Sequence, residues 1–131
     1  MKRNIVLRAL SLFSILLVSF HLVDDIVYGS EKGVASNLIM VAILAVWLYG
    51  TLMLSERRSG HITMLVGSLL GLVIFVTHLT GTGGLAGIEI GKSSGAFFFV
   101  WTLLALAVAS LLTLTLSAHG LWNLMRSKAL T

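Results

Sequence analysis

Leu54-Ser-Glu-Arg-Arg-Ser-Gly60 separates two long apolar runs, and its charges decide how the whole chain is read. The runs around it, roughly 34–54 and 62–80, each approach the ~20 residues a helix needs to cross ~30 Å of hydrocarbon. Two more, roughly 5–24 and 96–118, meet the same requirement. Four crossings joined by short connections place both termini and the 55–61 turn on one side. That side holds Lys2, Arg3, Arg8, Arg57, Arg58, Arg126 and Lys128, leaving only Lys32 and Lys92 for the other. Short loops biased in this way mark the basic side as cytoplasmic. The acids lean outward: Asp24, Asp25, Glu31 and Glu89 lie outside, and Glu56 alone inside. The expectation is an all-α integral membrane protein of the prokaryotic cytoplasmic membrane. Its four helices form an up-down bundle with both termini in the cytoplasm.

Composition narrows the class further. Hydrophobic residues make up 57% of 131 positions and charged residues 11%, so no polar stretch is long enough to enclose a soluble core. Residues 1–131 read as a single domain. The net charge of +4 does not point to nucleic acid, because the basic residues scatter over three cytoplasmic segments. An anionic leaflet is the partner they fit. The chain has no cysteine, which removes thiolate nucleophiles and iron–sulfur ligation, and no proline to kink a span. Met1-Lys-Arg3 ahead of an apolar stretch imitates a signal peptide. The apolar part is too long, however, and His21, Asp24 and Asp25 stand where small residues should mark cleavage. It is read as the first span.

Aromatic and glycine positions add detail. Trp47, Tyr49 and Trp122 fall near the inner ends of spans, and Tyr28 and Trp101 near the outer boundary, where amphipathic rings favour the interface. Gly60 suits the cap of the preceding helix. Gly67-Ser-Leu-Leu-Gly71 is a G-x-x-x-G face that admits a close neighbour, with Ala105, Ala109, Ser110, Thr113 and Ser117 offered by the fourth span. Ala86 to Ser93 fits a permissive phosphate-loop pattern. It follows a membrane span rather than a strand and lies outside, so the match is fortuitous.

A weak repeat runs through the chain. His21-Leu22 closes the first span and His78-Leu79 the third. Each is followed by a G-x-x-x-G turn, Gly29 to Gly33 and Gly91 to Gly95, and by another apolar span ending near Leu54-Ser or Leu124-Met-Arg-Ser. The implied unit is a helical hairpin used twice, the copies related by an axis along the membrane normal. The two histidines then approach each other near that axis.

On a helix, residues three and four apart share a face. His21, Asp24, Asp25 and Tyr28 therefore form one patch, and Ser14 extends it inward; Thr77 flanks His78 on the third span. Several readings compete. The acids could simply sit in water past the helix end, with His21 bonded to Asp25. His21, Asp24, Asp25 and His78 could bind a divalent metal through imidazole and carboxylate donors. The two histidines could instead be axial ligands of a b-type haem. Metal ranks ahead, because haem has no use for two adjacent aspartates. A histidine beside carboxylates could also carry a proton. His61 and His119, at the inner ends of spans three and four, read as ordinary interfacial histidines. No nucleophile accompanies the patch, so lipid-directed catalysis ranks last. The leading expectation is an outward-facing cation site, serving transport or delivery to a larger complex. An accessory subunit without a site of its own is the third alternative, and self-association through the small-residue faces remains open.

Overall fold

The 54–57 turn shows at the smallest scale how this chain closes on itself. The Leu54 amide caps the second helix by donating to Gly50 O at 3.2 Å. Arg57 N then turns back to Leu54 O at 2.8 Å, and His61 N reaches Arg57 O at 3.2 Å. The next helix therefore begins at Arg58, four residues ahead of the apolar run. Gly60 is not the cap of the preceding helix. It is buried in the first turn of the following one, where a Cβ would overlap the carbonyl of Leu54. Its role is to let two helix ends touch.

A computed structural model describes residues 2–27, 33–80 and 94–129. They form α1 (Lys2–Val27), α2 (Val34–Met53), α3 (Arg58–Thr80) and α4 (Ser94–Ala129). Each helix is long and apolar enough to cross a membrane. Tyr28, Gly29, Gly91 and the phosphate-loop look-alike lie outside the described residues. α1 continues past residue 24 to Val27, so Asp24 and Asp25 belong to the helix and do not trail beyond it. α4 runs to Ala129, well past the expected end near 118. No proline stops it, and Arg126 lies 4.8 Å from the Trp122 ring one turn away. Hydropathy marks where the greasy surface stops; a helix goes on until something breaks it.

The helices assemble into a four-helix bundle. α1 packs against α2 and α4, α3 packs against the same two, and α1 and α3 also touch across the diagonal. Glycine sets the closest approaches. A Cβ on Gly67 would enter the Trp47 ring of α2, and one on Gly71 would meet Ser110 of α4. The two ends of the G-x-x-x-G face thus admit two different neighbours within the same chain. Gly50 makes room for Thr63, and Gly120 for the ring of His61.

Trp47 departs from its expected interfacial place. It is 1% exposed, seated in the slot that Gly67 leaves open. Its Nε1–H donates to Ser11 Oγ at 2.9 Å, Ser11 and Thr51 hydroxyls are 2.8 Å apart, and Thr51 donates to Trp47 O at 2.9 Å. Because the Thr51 proton is committed to the carbonyl, Ser11 must donate to Thr51, and the circuit closes with every donor used. Tyr49, Trp101 and Trp122 remain exposed.

Ile15, Leu17, Val18, Trp47, Leu106 and Ala109 form the apolar core, with Leu44, Ile74 and Ala105 packed against it. Elsewhere the interior mixes small hydroxyls with buried Leu7, Met64, Phe99 and Leu103, and the surface is greasy. Ser11, Ser14, Ser68, Ser110, Thr113 and Ser117 are fully buried, while Phe13, Leu16, Val46, Val66 and Val108 face outward. His61 is buried against Gly120, and His119 faces outward.

A candidate metal centre at one end of the bundle

His21 stands near the end of α1, four residues before Asp25, and the helix continues far enough to hold both on one face. His78 ends α3 at the same level. The diagonal contact between these helices brings the imidazoles together, with centroids 4.3 Å apart and planes at 87°. His21 is 2% exposed, so the site is closed on the α1 side.

Three donor atoms converge. His21 Nε2 is 3.3 Å from His78 Nε2. The Asp25 carboxylate brings one oxygen to 3.7 Å from His21 Nε2 and the other to 3.5 Å from His78 Nε2. A tetrahedral zinc with bonds of ~2.0–2.1 Å holds its ligand atoms about 3.3 Å apart, which matches the 3.3 Å between the two imidazole nitrogens, while the carboxylate reaches each nitrogen through a different oxygen. The His21, Asp25 and His78 group could hold a metal ion.

The orientation of His78 carries further information. Its Nδ1 lies 2.8 Å from Ile74 O, a carbonyl that can only accept. The proton must therefore reside on Nδ1, and Nε2 presents its lone pair to the cluster. Backbone carbonyls orient metal-binding histidines in this way. The 3.4 Å approach of His21 Nε2 to the same Nδ1 is then an edge contact, not a hydrogen bond. Thr77 is exposed, but its hydroxyl donates to that same Ile74 carbonyl at 2.9 Å, so it acts on His78 only indirectly.

The other expected members fall elsewhere. Asp24 is half-buried and outside the group of three. Ser14 is buried, yet its hydroxyl turns back to Leu10 O at 3.0 Å and does not reach the histidines. Gly67 and Gly71 shape the packing below the site.

Residue composition alone did not indicate Phe99. Its ring lies 4.8 Å from the centroid of His21 and 5.8 Å from that of His78, and it is 8% exposed. It walls the cluster on the α4 side. Thr102, one turn below, gives its hydroxyl to the Phe98 and Phe99 carbonyls and leaves the site alone. The run Phe97-Phe98-Phe99, at the depth of both histidines, was the available signal.

A haem fits this arrangement poorly. Two axial nitrogens must lie on opposite faces of the porphyrin, on the order of 4 Å apart and collinear with iron. Here they are 3.3 Å apart on rings set edge to face, with no room for a macrocycle between them. No family model, no curated protein and no solved structure matches the chain. Its function must therefore be argued from the cluster and the bundle that holds it.

Proposed function

We propose that this chain is a four-span membrane protein that binds a divalent transition metal through His21, Asp25 and His78, near the non-cytoplasmic ends of its spans. The observation that carries this reading is the meeting of two imidazole nitrogens 3.3 Å apart with a carboxylate whose two oxygens lie 3.5 Å from one and 3.7 Å from the other. Two imidazoles and a carboxylate suit zinc and its neighbours in the first transition row.

The membrane placement is supported by the inverted distribution of polarity, with hydroxyls inside and large apolar side chains outside. Lipid is the natural partner of those outer faces. Paired positions run in opposite order along α2 and α3 (Gly50 with Thr63, Trp47 with Gly67) and along α3 and α4 (His61 with Gly120, Gly71 with Ser110). That order supports an up-down path, and the excess of lysine and arginine at one end supports cytoplasmic termini. The diagonal meeting of His21 and His78 is what two hairpins packed about a central axis would produce.

Three protein donors leave a tetrahedral ion one position open for water or an incoming ligand, unlike a closed four-ligand structural site. That open position is where an acceptor ligand would take over the ion in transport or hand-over to a larger complex. The test is metal analysis of the detergent-purified chain after equilibration with zinc and desalting. Wild type should retain roughly one ion per chain, and the His21→Ala and His78→Ala variants none. Equal metal in all three samples would remove the reading. Proton carriage by the same residues, favoured by the short Nε2-to-Nε2 distance, would then stand in its place.

A further inference from the structure

The cluster uses Asp25 but leaves Asp24 aside, and the atoms left without partners suggest why both are present. Among the described residues, His21 Nδ1 and Asp24 Oδ2 are buried and make no hydrogen bond. One nitrogen of His21 faces His78 and Asp25, so the other points to the opposite edge of the ring. Helical rotation places Asp25 about 40° to one side of His21 and Asp24 about 60° to the other, one turn further along α1. Asp25 occupies the Nε2 side. By that rotation Asp24 falls on the remaining side, where its Oδ2 makes no hydrogen bond to the ring.

Metal binding makes the lone nitrogen matter. A neutral imidazole that ligates through Nε2 carries its proton on Nδ1. That N–H then needs an acceptor, since a buried donor without one is costly and lets the ring swing. His78 has solved this problem with the Ile74 carbonyl. His21 has no such bond, and Asp24 Oδ2 is an acceptor lacking a donor. We infer that Asp24 is the positioning residue of the site, accepting Nδ1–H from metal-bound His21 while Asp25 ligates the ion. The adjacent acids thereby take different roles, one in contact with the metal and one acting through the histidine.

The inference rests on the proposed metal site, and its test keeps the two apart. Zinc affinity is measured by competition with a chromophoric chelator for full-length wild type, Asp24→Ala and Asp24→Asn in detergent. Histidine ¹⁵N spectra of the loaded proteins accompany it. Asp24→Ala should weaken binding ten- to a hundred-fold, the range typical of a lost outer-shell partner. Asp24→Asn keeps an acceptor oxygen and should remain within about threefold of wild type, being a neutral acceptor in place of a charged one. The His21 Nδ1–H resonance should be protected in wild type and the asparagine variant and lost to exchange in the alanine variant. Asp24→Ser supplies a second truncation should the alanine protein not stay monodisperse. Wild-type affinity in the truncated variants overturns the inference and leaves the metal site standing. Equal loss in Asn and Ala with an unchanged Nδ1–H signal also overturns it, by showing a charge effect alone. A wild type that binds no zinc overturns both.

Discussion

Two polar clusters lie about 15 Å apart along α1, the rise from residue 11 to residue 21, and they solve opposite problems. Around Ser11, Thr51 and Trp47 every donor has an acceptor in a closed circuit at 2.8–2.9 Å. Around His21, Asp25 and His78 two imidazoles and a carboxylate face one another, and His21 Nδ1 and Asp24 Oδ2 go unmatched. The first cluster is buried, the second is buried at His21 and partly open at Asp25 and His78, and both join separate helices. A satisfied network holds a fold together and has nothing left to offer a ligand. A cluster of imidazoles and a carboxylate held in place by the rest of the bundle keeps donor atoms to offer a cation. Ile15, Val18 and Leu106 form the apolar layer that separates them.

That contrast can be broken most sharply with single substitutions. Trp47→Ala should lower stability by about 3–5 kcal/mol, the cost of an unfilled slot of that size plus the lost hydrogen bond to Ser11. Denaturation in mixed micelles reads this out, and near-wild-type stability would mean that the circuit is not structural. By contrast, Asp25→Asn should leave unfolding within about 1 kcal/mol of wild type in metal-free buffer, as expected for a position that helps binding more than folding. It should also remove the protection that zinc confers. In wild type, zinc at a hundred times its dissociation constant should stabilise the fold by about 2.7 kcal/mol. A chelator-insensitive melting temperature would contradict this.

Smaller effects sharpen the comparison. Gly120→Ala sets a methyl group against the buried His61 ring and should cost about 1–3 kcal/mol by overpacking, with zinc affinity unchanged. A change in zinc affinity would reveal coupling between the two ends of α3. Finally, Ser11→Ala and Thr51→Val should each cost about 1 kcal/mol, and their double mutant should cost less than the sum. Strict additivity would show that the hydroxyls do not act as one circuit. The same pair of changes should not alter metal stoichiometry.

Each misplaced residue in the sequence reading has a definite cause. Trp47 looks interfacial because an amphipathic ring near the end of a span normally is. Only the absence of a side chain at Gly67, twenty residues away and on another helix, opens the slot that buries it. Gly60 follows a charged turn and so resembles a cap, yet the turn closes at Leu54 and the glycine serves a close approach. His61 looks like a boundary residue until Gly120 supplies a flat surface against its ring. Asp24 and Asp25 are indistinguishable in spacing from His21, and only the position of His78 tells which one reaches the cluster.

Periodicity and hydropathy are local properties, so the chain by itself determined four apolar helices, the polar face His21–Asp25 on α1 and a second histidine at equal depth on α3. Which faces meet is decided by steric complementarity between helices, and no local pattern encodes that. The tertiary structure alone placed His21 Nε2 3.3 Å from His78 Nε2, turned the His78 lone pair inward through Ile74 and walled the pair with Phe99. Those features arise because glycines at a few crossing points let the helices settle at one depth and rotation. A ligand set drawn from two helices exists only once that packing is complete.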